Sequence, residues 1–145
     1  MKKLFYKGKE LYPLAVTFAA SGIWDFIAGM MYIFAIGTGR AIDQPPLHPF
    51  YAIFTGSFFL CFAYIQILSS FNIRRYLFNV GCLVIGRIFY VAVLFGYMVL
   101  DHEFPGTFWF TGIIDSIFAV LYLVFAAKAG IKPAELFLPA IKNNL

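Results

Sequence analysis

The chain has 145 residues and a formal net charge of +4; it is 62% hydrophobic, 21% aromatic and only 12% charged. Soluble domains run to about half apolar and about a quarter charged, so this composition excludes an ordinary water-soluble domain and points to lipid as the solvent. The Lys and Arg residues form no basic stripe and sit beside apolar runs, which excludes a nucleic-acid partner and suits orientation signals in a lipid bilayer.

A basic start, MKKLFYKGKELYP, leads into the first apolar stretch, residues 14–37. That run is long enough to cross a bilayer and carries no cleavage box, so it is expected to be retained rather than removed as a signal peptide. The loop TGRAIDQPPLHP, with Pro45, Pro46 and Pro49, breaks it from the second stretch, 49–70. The short basic SSFNIRRY precedes the third, 77–100, and the short acidic DHEFPG precedes the fourth, 105–127, with Pro105 suited to a first helical turn. The tail, 131–145, alternates apolar and polar residues, as a cytoplasmic segment lying along the membrane surface or a frayed end would. Short second and third loops force antiparallel neighbours. The expected fold class is therefore an all-α membrane protein, a single antiparallel four-transmembrane-helix bundle over residues 1–145.

The direction follows from the cations. Lys2, Lys3, Lys7 and Lys9, then Arg74 and Arg75, then Lys128, Lys132 and Lys142 all fall on one side, and only Arg40 falls on the other, with Asp43, Asp101 and Glu103. The positive-inside rule makes the first side cytoplasmic: N-in/C-in, in a plasma membrane such as a bacterial inner membrane.

Three charged residues remain inside the spans: Asp25, Arg87 and Asp115. At ~1.5 Å rise per residue they lie ~18, ~15 and ~18 Å from the cytoplasmic side, which is one level near the midplane. A central Asp or Arg costs about 2.5–3.5 kcal/mol on insertion, so none of the three can face lipid alone. An Arg forked between two carboxylates is the expected internal solution. With both acids ionised it carries −1, which calls for a proton or a further donor or cation. Helices one and four share a small-small-x-x-Asp-x6-Tyr face: Ser21, Gly22, Asp25 and Tyr32 match Thr111, Gly112, Asp115 and Tyr122. Tyr32, Tyr122 and, one turn past Arg87, Tyr90 are candidates to offer hydroxyls to the cluster. Helix two contributes Gln66, expected nearer the cytoplasmic end on a stripe with Thr55, Phe59 and Phe62. A ligand, proton or ion site and a purely structural triad that specifies helix packing both fit these residues.

Cys61 and Cys82 read as two small side chains in apolar runs rather than a disulfide. His48 and His102 share the outer side and could approach each other, but no ligand spacing surrounds them and no metal is expected there. Phosphate loops, zinc-protease helices and nucleophile elbows are lacking, which disfavours an enzyme and leaves any cofactor unspecified. The openings PFYAIFTG and PGTFWFTG share Pro-x4-Phe-Thr-Gly, an echo that a duplicated hairpin or chance explains equally.

With PFYAIFTG, the RRYLFNVG turn into helix three and the Asp inside helix four, the chain resembles the small four-helix bacterial inner-membrane proteins of the broad DoxX-like type. The resemblance implies a fold and a compartment and carries no activity. The leading expectation is a non-enzymatic accessory or ligand-binding subunit of a larger membrane assembly or oligomer. A proton- or ion-coupled carrier using the Asp-Arg-Asp cluster, and a quinone- or haem-binding redox protein, stand as the alternatives.

Overall fold

A computed structural model describes residues 10–36, 48–101 and 108–138, and every regular element among them is helical. Helix α1 (Tyr12–Met31) continues into a π-helical turn, Tyr32–Ile36; α2 spans Pro49–Ser70, α3 Leu77–Leu100, α4 Trp109–Lys128 and the short α5 Pro133–Phe137. Four of these are long and apolar enough to cross a membrane. The second and third begin and end where the sequence places them. The first starts at Tyr12 rather than Leu14. The fourth starts at Trp109, and Pro105, expected in its first turn, lies outside the described residues.

Local chemistry sets these limits. Pro13, Pro49 and Pro133 occupy first turns, where a missing N–H costs nothing. His48 caps α2, its Nδ1 accepting the Phe50 N–H at 3.1 Å. Helix α4 is closed off by Gly130, two residues past its end, whose φ of +72° permits a left-handed cap: Ile131 N–H donates to Ala126 O, and Gly130 N–H to Ala127 O, at 3.0 Å each.

The apolar core is lopsided. Leu11, which caps α1, and Leu14, Ala15 and Phe18 within it pack with Ile73, with Val80 and Val84 of α3, with Tyr122 and Ala126 of α4, and with Leu136 of α5. Among the described residues this cluster takes nothing from α2. Helix α2 leans instead on α1 through glycines. A Cβ at Gly29 would lie 2.9 Å from Gly56 O, one at Gly56 2.8 Å from Gly29 O, and one at Gly22 2.8 Å from Ile67 Cγ1. Small residues of this kind let helix backbones approach where lipid supplies no hydrophobic drive.

Helix α2 is also displaced along α1. Flush ends of α1 and α2 would set Gln66, four residues before Ser70, opposite Val16, four residues after Tyr12. It packs instead at Gly22, six residues further along and ~9 Å away. The space below Ser70 is filled by the 71–76 turn, whose Ile73 is fully buried. The outer face of α2 carries a ridge of exposed rings, Phe50, Phe54, Phe58 and Phe62, each within 6.4 Å of the next.

The tail segment does more than lie on a surface. Leu136 is buried, and its carbonyl rests against Gly81 of α3 so closely that a Cβ at 81 would collide with it. Residues 139–145, the rest of the expected tail, lie outside the described residues, as do His102 and residues 1–9 of the basic start.

Candidate functional site in the helix interior

The three intramembrane charges meet. Asp25, Arg87 and Asp115, only 3%, 5% and 4% exposed, arrive on α1, α3 and α4. Arg87 Nη2 donates to Asp25 Oδ2 at 2.9 Å and Oδ1 at 3.1 Å, and Nη1 pairs with Asp115 Oδ1. The guanidinium is thus forked between the two carboxylates and lies 5.2 Å from the centre of the Phe118 ring. Common depth, read from residue counts alone, is what made this meeting foreseeable.

Helix α2 supplies the part that residue counts concealed. Gln66 is fully buried at the centre of the cluster. Its Nε2 donates to Asp25 Oδ2 and, at 3.2 Å, to Phe62 O. Its Oε1 accepts from Ser21 Oγ, from the Tyr122 hydroxyl at 3.2 Å and, more weakly, from Arg87 Nη2 at 3.4 Å. The amide is oriented by its neighbours: the nitrogen can face only the carboxylate, and the oxygen only the donors. Tyr122 also touches Ser21 Oγ, so its single proton goes to one of those two oxygens. The signal for Gln66 was present, as the only amide in the second span, but the displacement of α2 hid its level.

The three candidate tyrosines separate. Tyr122 joins the cluster, fully buried, on the Ser21 side of Asp25. Tyr32, its counterpart in the shared pattern, lies on the other side of Asp25, where its ring stacks on Phe59 at 5.5 Å. Tyr90 hydrogen-bonds Thr111 Oγ1 at 2.9 Å. The two matching motifs therefore point their tyrosines to opposite sides of the charge layer. His48 is engaged as a helix cap, and any approach to His102 lies outside the described residues. Among the described residues no group of three or more His, Cys, Asp and Glu gathers as metal ligands.

A cavity of about 280 Å³ opens beside the cluster, between α2 and α3. Phe59 and Phe62 form its α2 wall, Cys82, Leu83, Gly86 and Tyr90 its α3 wall, and Asp25, Arg87 and Asp115 its floor. Its rim is open: Phe62, Cys82 and Gly86 are exposed, and a Cβ on Gly86 would meet nothing within 4 Å. The floor's buried atoms are mostly sealed from it. Asp115 Oδ1 is covered by its ion pair with Arg87, and Arg87 Nε is buried without a hydrogen-bond partner among the described residues. The arrangement can hold an apolar guest against aromatic walls, above a buried charge.

Comparison of the chain with protein-family models, curated proteins and solved structures gives no match.

Proposed function

We propose that this chain is a non-enzymatic, multi-pass membrane protein that holds a small lipophilic molecule in the crevice between α2 and α3, as a ligand-binding subunit of a larger membrane assembly or oligomer. The observation that carries the reading is the crevice itself: aromatic walls, an exposed rim on helices that suit lipid, and an ion cluster as its floor. Concave, mainly apolar sites with a few convergent polar groups are the usual form of a small-molecule site. The non-enzymatic half is supported by how the polar groups are used. Ser21, a buried hydroxyl beside the cluster, is engaged with Gln66 and Tyr122 rather than with a general base.

The bundle in this reading is antiparallel, with both termini cytoplasmic. Pairings whose numbers run in opposite directions support it: Gly22 with Gln66 and Gly29 with Gly56, then Arg87 with Asp115 and Tyr90 with Thr111. The cation distribution supports the orientation, and the DoxX-like layout adds a bacterial inner membrane to it. Reporter fusions after Ser70 and after Leu145 should read cytoplasmic, and one within 102–105 external; a cytoplasmic signal from the last removes the four-span topology.

The ligand reading is tested by extracting and weighing what co-purifies. Gly86→Leu fills the crevice from a position with free space, and Gly96→Leu makes the same change on α3 where a Cβ also meets nothing within 4 Å. A lipophilic molecule retained by wild type and Gly96→Leu but lost from Gly86→Leu is the expected result. Identical inventories from all three proteins would count against the crevice as its seat.

A further inference from the structure

The charge of the floor and the sealing of its atoms together narrow what the crevice takes, on the reading just proposed. Asp25 and Asp115 bring two negative charges and Arg87 one positive, so the ionised cluster sums to −1. Its other close partners, Gln66, Ser21 and Tyr122, are uncharged. Every other charged side chain among the described residues lies at a helix end or in a turn, away from this level. Few of the cluster's atoms are open to hydrogen bonding with a guest, since Asp25, Arg87 and Asp115 are all buried. Arg87 Nε and Asp115 Oδ1 are buried beneath the surface the guest would touch. What reaches the guest is the net charge, which acts over distance in a low-dielectric interior without needing contact. Beside that charge stand the rings of Phe59, Phe62 and Tyr90, whose faces attract cations.

We propose that the α2–α3 crevice binds a lipophilic monovalent organic cation, of the alkyl- or aryl-ammonium class, whose positive charge balances the Asp25–Arg87–Asp115 cluster. At ~30 Å³ per water-sized group the cavity admits about nine such groups, which suits a single ring or short chain bearing one ammonium. A quaternary ammonium is the fitting probe, because it offers charge and apolar surface and no hydrogen-bond donor. The competing occupant is a proton on one of the acids, which would leave the crevice indifferent to charge.

The experiment compares phenyltrimethylammonium with tert-butylbenzene, a neutral molecule of the same shape, on the full chain in lipid nanodiscs at matched membrane concentrations. Cys82 at the rim reports occupancy through its rate of alkylation by N-ethylmaleimide, read by peptide mass spectrometry. Cys61, exposed on α2 and outside the crevice, is the internal control. The cation should protect Cys82 at concentrations about tenfold lower than the neutral molecule and leave Cys61 unchanged. Asp115→Asn, which brings the cluster to neutrality, should erase that tenfold preference, and Gly86→Leu should erase protection by either probe. Should Asp115→Asn fail to assemble, the comparison of the two probes on the unaltered chain decides alone. Equal protection by both probes overturns the cation assignment and leaves the crevice reading standing. Protection by neither also overturns it, and the crevice reading itself falls only if, in addition, Gly86→Leu retains every lipophile that wild type carries.

Discussion

The two sides of α2 are built on opposite terms. Toward α1 it presents Gly56, and a single added carbon at Gly56 or Gly29 would strike the other helix's backbone. Toward α3 it presents Phe59 and Phe62 across a gap of about 280 Å³. The same helix, equally apolar throughout, is closed on one flank and open on the other. In lipid an apolar surface gains little by being covered, so whether two helices touch is decided by backbone approach and polar ties rather than by hydrophobicity. Glycines provide the approach on one flank. On the other, the ties run through Gln66 and Arg87 to shared partners, and the rings line the gap between the backbones.

The largest expected effect comes from cutting those ties. Arg87→Leu leaves Asp25 and Asp115 buried without their cation, at a cost of ~3–5 kcal/mol unless they protonate. Thermal unfolding in mild detergent, followed by circular dichroism, should show it as the most damaging of the changes considered. A melt close to wild type would mean that the carboxylates do not depend on the guanidinium.

Next comes the closed flank. Gly29→Val places a branched side chain against the Gly56 carbonyl, which cannot swing aside, and should cost ~1–3 kcal/mol. An unchanged melting temperature would remove the distinction between the two flanks.

Gln66→Leu should cost about as much, ~1–3 kcal/mol, through a different route: Asp25 loses one donor, and Ser21 and Tyr122 lose their common acceptor. Combined with Asp25→Asn it should be non-additive by ~0.5–3 kcal/mol in a double-mutant cycle. Strict additivity would separate Gln66 from the ion cluster.

The smallest effect belongs to the open flank. Gly86→Leu meets nothing and replaces a poor helix former, so its stability should stay within ~0.5 kcal/mol of wild type. A large loss there would mean that the gap is filled by packing and is not a vacancy between helices.

Much of this was legible from residue order. Four apolar runs separated by Pro-rich or charged breaks are recognisable without tertiary information, and 49–70 and 77–100 match α2 and α3 residue for residue. The cluster was legible because charge inside an apolar run has few affordable solutions, and because Asp25, Arg87 and Asp115 count to one depth. Gln66 was misjudged because depth counted from each helix's own end assumes flush ends, and α2 is displaced. Tyr32 and Tyr122 looked equivalent in pattern, yet a side chain seven residues past a shared level can lie above it or below it. The crevice had no signature at all: Phe59 and Phe62 would read the same against lipid, against a helix or beside a gap.

The contact between Leu136 and Gly81 bears on the order in which the molecule is put together. The seat of Leu136 belongs to a core that draws on Leu14 of α1, Ile73 of the 71–76 turn, Val80 of α3 and Ala126 of α4. No nascent fragment contains that seat until α4 has been made and has joined the others. Helix α5 is too short to persist by itself, since isolated helices below about 12 residues are marginal in water. It can therefore take shape only on a bundle already assembled. Its docking follows the packing of α1, α3 and α4, and a chain with α3 unpacked would leave Gly81 uncovered.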